Sequence, residues 1–503
     1  MRHHQPVYHG IVPINFLDEL WVDAQNRHIT YAPSLRELWQ NGELVRCMGN
    51  IADKALGVLE PGLRLLPTRS SGLAKCVRFI LDRLDNGGYG AFWASNFGAV
   101  LALRAEGFSL SNPAVKHLLK AIDQYLWEDR EGLRMQVTHG PVWDTGLMAL
   151  GLSESGLQTE AMDLTIRWFK DRQILDVRGD CHKQNSKLTV GGWCYQDCNT
   201  HYPDNDDTLV SLLCIVSHKP EELRSEACIA AVEFLLGMQC SNGGFACFDG
   251  WNNRNRWMNH TPFGQGNEFF DPSVPDITGR VIECFGLLLA ESDAFYSKTG
   301  KKLVTEALHA RIRHACHRAI RYLQTEQDSE GRWGSRWHVN YLNGTYSVLC
   351  GIKFFLHAID DSWGKDFVKK MVKRPLTWLK SMQNQDGGWG EGVASYRTAS
   401  EAGRGASTPT QTAWAIMALL AHLPPNDTTV VKGVQYLVRT QTTGSYVSDE
   451  DGTGIGAGPG ATWQQIEYVS VGFPDILWLD YSSSRHGYPM MALGRWLREM
   501  RSH

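Results

Sequence analysis

The sequence predicts an all-α protein: an α/α barrel made of helix pairs, together with part of a second α/α barrel. Two observations support this fold class. From about residue 76, one unit recurs, consisting of an amphipathic helix, a turn with glycine and an aromatic residue, and a second, more apolar helix. Successive units lie roughly 50 to 105 residues apart, which leaves room for one helix pair with its loops or for a longer insertion. Helix pairs of this kind close naturally into a ring.

The clearest copy of the repeat has a helix ending near Gln383, a turn at residues 386–390 and a second helix that opens at residues 407–414. Other copies, some of them less complete, lie at residues 85–90, 168–193, 234–245, 322–333 and 436–446. Because glutamine and an aromatic residue return at these turns, we predict that they link neighbouring helices. That role is structural.

The repeats divide the chain unequally. We expect residues 107–503 to form the complete barrel, and residues 1–106 to form an incomplete second barrel with its connections. Residues 51–66 have an apolar face at helical spacing that Pro61 interrupts. This face is a candidate for contact with a membrane, and packing against its own domain is the alternative.

Composition excludes several classes of protein. With 503 residues and a formal net charge of −4, the chain is long enough for two or three domains and has no basic excess that would indicate nucleic-acid binding. No apolar stretch approaches the ~20 residues of a membrane span, and residues 1–5 lack signal or transit character. The 12 cysteines have no framework spacing, so we expect free thiols and an intracellular location. The 18 Trp, 18 Phe and 16 Tyr residues are a heavy aromatic load, and we expect some of these rings to line a cavity.

An acidic cluster precedes one apolar helix. Pro203 is followed by Asp204, Asp206 and Asp207, and an apolar run starts directly after them, as in the first turn of a buried helix. Carboxylates this close repel one another, so at least one tends to keep its proton above the usual pH. The helix dipole also stabilises the anion that remains after a proton leaves. The cluster can therefore present an acid that protonates a weak base.

Two other interpretations of the acidic cluster stay open. Aspartate is common at the N-cap and in the first turn of a helix, where it only caps the backbone. A Mg²⁺ site is the second alternative, although such sites usually gather carboxylates from several elements.

No cofactor or metal is expected. The spacing of three residues is similar to that of a metal-ligand set, namely Cys194, Cys198 and His201. The second ligand pair that a zinc site needs is missing. Residues 449–460 imitate a nucleotide-binding loop, yet no strand precedes them and no Lys-Ser/Thr follows, which favours a surface loop.

The acidic cluster and the Gln-Gly-Trp copies together resemble the squalene-hopene cyclase family, the class II terpene cyclases that protonate an alkene. The resemblance covers residues 76–503 well and the earlier part loosely. The motifs that carry it follow the family's order, at residues 141–146, 202–208, 237–244, 259–263, 336–342, 405–409 and 492–495.

The resemblance implies roles for individual residues. Asp206 would be the proton donor, supported by Asp204 and Asp207. Arg280 stands where family members usually carry a histidine that hydrogen-bonds the donor, and Asp276 matches the acid that accompanies it. Substrate-binding rings are implied at the family's cavity positions, namely Trp143, Tyr195, Phe248, Phe263, Trp414, Phe473 and Tyr481.

The chain also departs from the family where rings would be expected, at Gly98, Gly266, Leu477 and Ser484. Late cations of a long cascade would then be less well stabilised, which puts a hopene-like pentacyclic product in doubt. The implied function is cyclisation of a linear polyprenoid, most simply squalene. A cyclase of a shorter or aryl-capped prenyl chain and a non-catalytic truncated remnant are the alternatives.

The resemblance has consequences for partners. It implies a hydrophobic polyprenoid substrate, a peripheral contact with a membrane or a cytoplasmic location, and a homodimer. Protein prenyltransferases share Gly-Gly-aromatic turns but need a zinc set, and class II diterpene cyclases share the acidic motif but bind a diphosphate.

Overall fold

A computed structural model describes most of the chain. It covers Asp18, Trp21 and residues 33–63, 66–90, 92–129, 132–157, 160–196, 198–250, 271–358, 362–445, 459–474 and 477–502. Phe263 and Gly266 lie outside the described residues, and so does most of the loop expected at residues 449–460.

Helices make up most of the described structure. They are α1 Leu35–Gln40, α2 Leu44–Leu63, α3 Pro67–Leu81, α4 Trp93–Ala105, α5 Pro113–Asp123, α6 Pro141–Glu154, α7 Glu160–Arg172, α8 Cys181–Gln184, α9 Asn205–His218, α10 Glu226–Gly237, α11 Pro275–Thr299, α12 Glu306–Glu326, α13 Tyr341–Ala358, α14 Ser362–Ser381, α15 Pro409–Leu420, α16 Thr428–Thr440 and α17 Ser484–Ser502.

The described strands form four antiparallel hairpins. They pair β1 Leu84–Asp85 with β2 Gly88–Tyr89, β3 Leu126–Asp129 with β4 Gly132–Met135, β5 Gln441–Ser445 with β6 Pro459–Trp463, and β7 Ser470–Phe473 with β8 Leu477–Leu479.

The chain separates into two compact units. Unit 1 contains residues 1–139 and 255–270, and unit 2 contains residues 140–254 and 271–503. In unit 1, α4 and α5 pack together around a small core that includes Leu103 and Leu118. The expected division at residue 107, and the assignment of the first part to a second barrel, stay predictions.

Six helices of unit 2 form a closed ring. In the order α6, α9, α11, α13, α15 and α17, each helix packs against the next, and α17 packs against α6. The helices α7, α10, α12, α14 and α16 contact this ring from outside. The expected α/α barrel is therefore confirmed.

Burial explains which helices lie inside. All twelve residues of α15 are buried, and α9 is buried from Asn205 to Val216. By contrast, α12 buries one stripe that includes Leu308, Ile312 and Ala315, and its other face is polar. A helix that is apolar all round needs neighbours on every side, whereas an amphipathic helix needs them on one.

Glutamine side chains connect consecutive outer helices. Gln173, after α7, donates from Nε2 to the carbonyls of Gly191 (2.7 Å) and of Ala227 in α10 (2.8 Å). The same paired bonds recur at Gln239 to Ala315 in α12, Gln327 to Met371 in α14, and Gln383 to Thr429 in α16. The structural role predicted for the repeat glutamines is confirmed.

The turn tryptophans bond back to the preceding outer helix. The indole Nε1 atoms of Trp193, Trp333 and Trp389 each donate to a main-chain carbonyl there, at 2.7 to 2.8 Å. Trp463 donates in the same way to Leu437, at 2.8 Å. Sequence analysis missed Trp463, because a long insertion separates it from the rest of its repeat.

The first glycine of the turn has a conformational reason. Gly387 has a φ of 90°, and a Cβ there would lie 2.7 Å from the carbonyl oxygen of Lys432. Only glycine tolerates this combination of left-handed backbone and close approach.

Within the described residues, no helix is long and apolar enough to cross a membrane. Helix α2 continues through Pro61 to Leu63, two residues past the interruption expected from the sequence. It exposes large apolar side chains, among them Met48, Ile51 and Val58.

Candidate active site

Three acids stand at the start of α9, on the inner ring. Asp204 is the N-cap: its Oδ1 accepts a hydrogen bond from the main-chain N–H of Asp207 at 2.8 Å. The main-chain N–H of Asp204 donates to the carbonyl of Trp193 at 2.9 Å. The capping interpretation therefore describes Asp204 but not the two acids that follow it.

All three carboxyl groups are buried and only partly paired. Asp204, Asp206 and Asp207 are 1%, 7% and 3% exposed. Asp204 Oδ2, Asp206 Oδ1 and Asp207 Oδ1 have no hydrogen-bond partner among the described residues. Buried polar atoms in folded proteins are nearly always paired, so three unpaired oxygens in one turn point to a site kept open for another molecule.

Arg280 approaches the acids from α11, the next helix of the ring. Its Nη2 lies 2.9 Å from Asp206 Oδ2 and 3.9 Å from Asp276 Oδ2. Asp276 Oδ2 accepts instead from Ser335 Oγ at 2.7 Å and from the N–H of Arg336 at 3.1 Å. Arg280 is therefore primarily the partner of Asp206.

The contact between Arg280 and Asp206 is an ion pair without a well-directed hydrogen bond. None of the guanidinium nitrogens makes such a bond within the described structure. Burial lowers the pKa of Arg280, but the charges of Asp206 and Asp276 and the neighbouring tyrosines together raise it more, so the guanidinium stays charged. Asp206 Oδ1 consequently remains available to hold or release a proton.

Burial raises the pKa of all three acids. The pKa of Asp206 is raised to about 6, because burial and nearby Asp276 outweigh the opposing charge of Arg280. The pKa of Asp204 is raised to about 7 by burial, against the hydrogen bonds from Asp207. Burial and the neighbouring Asp204 raise the pKa of Asp207 well above its usual value. Each acid can therefore be protonated near neutral pH.

Several of the expected aromatic rings lie in the barrel with the acids. The centroid of the Trp143 ring lies 5.4 Å from Arg280 Cζ. The Tyr195 hydroxyl donates to the Tyr481 hydroxyl, with 2.7 Å between the oxygens, and both groups lie close enough to Asp207 to interact electrostatically with its carboxyl group. Trp414 is fully buried in the same unit. These four of the expected rings belong to the barrel that carries the acids.

Two further expected rings, those of Phe248 and Phe473, each contact a residue of the segment that precedes α13. The Phe248 ring contacts the Trp337 ring edge-on, with centroids 5.9 Å apart. The Phe473 ring lies 5.8 Å from Arg336 Cζ.

His338 is a buried site residue that sequence analysis missed. It is 3% exposed, and neither ring nitrogen has a hydrogen-bond partner among the described residues. Its ring centroid lies 6.1 Å from that of Trp143, 5.4 Å from Trp414 and 6.4 Å from Tyr488. Burial, and then the charge of Arg280, hold its pKa well below the usual value. The imidazole is therefore neutral.

Two family models match the chain. The squalene-hopene cyclase C-terminal domain matches residues 139–498, and the squalene-hopene cyclase N-terminal domain matches residues 1–131. The chain belongs to the squalene-hopene cyclase family.

Curated relatives agree with this membership. A terpene cyclase-glycosyl transferase fusion protein of Humicola fuscoatra is 34% identical over 99% of this chain and 37% of its own length. A squalene hopane cyclase of Aspergillus fumigatus is 36% identical over 93% of this chain and 64% of its own. The squalene-hopene cyclase of Alicyclobacillus acidocaldarius is 34% identical over 86% and 62%. The chain thus spans less than two thirds of the length of each of these family members.

Solved structures resemble the chain more weakly. The type II terpene cyclase MstE from Scytonema has a TM-score of 0.44 and 14% identity, covering 74% of this chain and 92% of its own. A likeness of this size adds nothing to the family assignment.

Proposed function

We propose that this chain is a class II terpene cyclase, which protonates an alkene of a linear polyprenoid, most simply squalene, and guides the cyclisation of the resulting cation. The observation that carries the proposal is the buried carboxyl group of Asp206, paired with Arg280, whose guanidinium lies over the ring of Trp143. Membership of the squalene-hopene cyclase family supports it.

Asp206 is the proposed donor, with its proton on Oδ1. An alkene is a very weak base, so the conjugate base of the donor must be strongly stabilised. Arg280 supplies a permanent positive charge 2.9 Å from Oδ2, and the N-terminus of α9 supplies the positive end of its dipole. Both favour the carboxylate that forms as the proton leaves.

Asp204 and Asp207 are proposed as supporting acids. Asp204 fixes the turn through its bond to the N–H of Asp207, and the raised pKa values of both groups keep them largely protonated. Neutral neighbours place no extra negative charge beside Asp206. Asp276, held by Ser335 and Arg336, limits how far Arg280 can swing away from Asp206.

The aromatic rings are proposed to stabilise the cations that follow. Ring faces attract a cation without forming a bond to it, and a water-excluded pocket prevents early capture by water. Trp143 lies nearest the ion pair and would meet the first cation. Tyr195, Tyr481, Trp414, Phe248 and Phe473 are assigned to later ones, together with Phe263.

Product analysis with purified protein tests the proposal. Squalene and a farnesylated aromatic compound are incubated separately, and extracts are analysed by mass spectrometry. We expect an isomer of the substrate from wild type and none from Asp206→Asn, with Asp171→Asn, an exposed acid of α7, as the matched control. Absence of a product with both substrates would favour the non-catalytic alternative.

A peripheral contact with a membrane is also proposed, because a polyprenoid dissolves in bilayers. The apolar side chains exposed along α2 suit this contact. In flotation with phosphatidylcholine vesicles, wild type should rise with the vesicles, and a Met48→Lys, Val58→Lys variant should stay at the bottom of the gradient. Equal binding of both would contradict a role for α2.

A further inference from the structure

The neutral histidine inside the barrel, His338, has no hydrogen-bond partner in the described part of the chain. A buried imidazole normally pairs at least one nitrogen, because unpaired polar atoms are costly away from water. At His338 both nitrogens are unpaired among the described residues, and the ring lies among Trp143, Trp414 and Tyr488. Among these described neighbours, no hydrogen bond explains a histidine there in place of an apolar residue.

We propose that His338 is the base that ends the cyclisation by taking a proton from the last carbocation. This inference rests on the proposed function, and it adds a second proton-transfer residue to the first. The geometry carries it: both ring nitrogens of His338 are unpaired among the described residues, and the ring lies beside Trp143, whose own ring centroid lies 5.4 Å from Cζ of Arg280, the partner of Asp206.

The proton transfers balance. The Asp206 carboxyl group gives its proton to one alkene carbon, and a carbocation forms. A C–H bond next to the final cation then breaks, its electron pair becomes the new C=C bond, and its proton goes to a ring nitrogen of His338. The imidazolium, whose pKa burial and the charge of Arg280 hold well below the usual value, then releases that proton to water, and the Asp206 carboxylate takes up a proton from water. The substrate is isomerised, and the donor is restored.

Apart from the carboxylate that Asp206 leaves after donating, the other groups near Trp143 are poorer bases than His338. Burial raises the pKa of Tyr488 and that of Tyr346, so both remain neutral phenols. Arg280 is already charged, and Asp207 holds its proton. His338 is the neutral nitrogen base among these described neighbours of Trp143.

The position of His338 has a consequence for the product. Because Trp143 contacts both His338 and the guanidinium that pairs with Asp206, the base lies near the donor. A carbocation comes within its reach only while the cascade is short. We therefore expect mainly monocyclic or bicyclic alkenes.

Product ratios test this inference with squalene as the probe. Wild type is compared with His338→Phe and His338→Gln. His422→Phe is the matched control, since His422 is a second histidine of the barrel whose pKa burial lowers, to about 4, but its Nε2 is paired with the Leu349 carbonyl. Both His338 variants should lose the short alkenes by at least about tenfold relative to alcohols or larger ring systems. The control should keep the wild-type ratio.

Several outcomes would overturn the inference. Unchanged product ratios in either folded His338 variant, as judged by melting temperature, would make His338 structural. A pentacyclic product as the main product of wild type would place the terminating base elsewhere, whatever the variants do. If wild type converts no substrate, the proposed function itself is overturned, and the role of His338 with it. If wild type forms a product but the His338 variants keep its product ratio, only the role of His338 is overturned.

Discussion

Two turns of the barrel share one backbone framework and differ in chemistry. The acid turn (residues 204–208) starts α9, and the threonine turn (residues 408–412) starts α15. In each, the first residue donates its N–H to the carbonyl of the repeat tryptophan, at 2.9 Å and 3.0 Å respectively. In each, the fifth residue, a threonine, accepts the N–H of that tryptophan, at 3.0 Å and 2.9 Å.

The two turns differ in the side chains between their first and fifth residues. In the threonine turn, Thr410 Oγ1 donates to Gln465 Oε1 at 2.6 Å, and Gln411 Nε2 donates to the Glu391 carbonyl at 3.0 Å. In the acid turn, the equivalent Asp206 and Asp207 each have one oxygen without a hydrogen-bond partner among the described residues. The scaffold thus already exists in the repeat, and we propose that the acids at its third and fourth positions give one copy its chemical activity.

The largest effect is expected from Asp206→Asn, which should lower the cyclisation rate by at least about a hundredfold because the amide cannot donate the proton. The equivalent change in the other turn, Thr410→Val, should lower the melting temperature and leave the rate within about threefold. Initial rates and thermal melts of both variants check the contrast. A tenth of wild-type activity in Asp206→Asn would place the donor elsewhere.

Arg280→Met should slow the reaction by about tenfold or more, because the conjugate base loses its nearby positive charge. The same loss should raise the pKa of Asp206 and move the decline of rate to higher pH. Arg318→Met serves as control, since Arg318 bonds only to turn residues such as Gln239 and Cys240 in the described structure. An unshifted pH profile, with a lower melting temperature, would make Arg280 a structural residue.

The wild-type rate should fall about tenfold per pH unit above about 6, the raised pKa of Asp206, because only the protonated acid reacts. Arg280 keeps its charge throughout this range, so the start of the decline should report the titration of Asp206. Initial rates measured from pH 4 to 9 check the slope. A rate that rises through pH 6 would mean that a base, and not an acid, starts the reaction.

The smallest effect concerns stability. Since the pKa of Asp204 is raised from near 4 to about 7, its stabilising contribution is complete below pH 4 and is lost as pH rises through 7. Asp204→Asn keeps a good N-cap but cannot titrate. Its melting temperature should fall less between pH 4 and 7 than that of wild type, by about 2 to 4 °C.

The threonine turn provides the control for this pH effect. Thr408→Asn changes the equivalent cap, where no acid titrates, and should leave the pH dependence of melting as in wild type. Parallel curves for wild type and Asp204→Asn would mean that Asp204 does not titrate in this range.

Local repetition was predictable from the sequence, and distant contacts were not. The repeat glutamines and the start of α9 follow from residue spacing, and they were placed correctly. His338 lacks a hydrogen-bond partner among the described residues, and Tyr195 contacts Tyr481 through their hydroxyl groups. Both features depend on segments that meet only when the ring closes. Trp463 escaped notice because its repeat is interrupted. Residue spacing in the sequence predicts the structure of one helix pair at a time, whereas these features involve several helix pairs.

The contacts that close the ring between α6 and α17 also determine when, during synthesis, the interior of the barrel is complete. Ser483 donates to Asp144, and Arg495 binds Glu154, so each contact joins parts of the chain more than 300 residues apart. During synthesis, the acid turn leaves the ribosome long before α17 does. Until that helix arrives, the inner surface stays open on one side to water and to chaperones. The proposed proton donor is thus translated early, but the barrel interior around it is complete only after the last inner helix has been made.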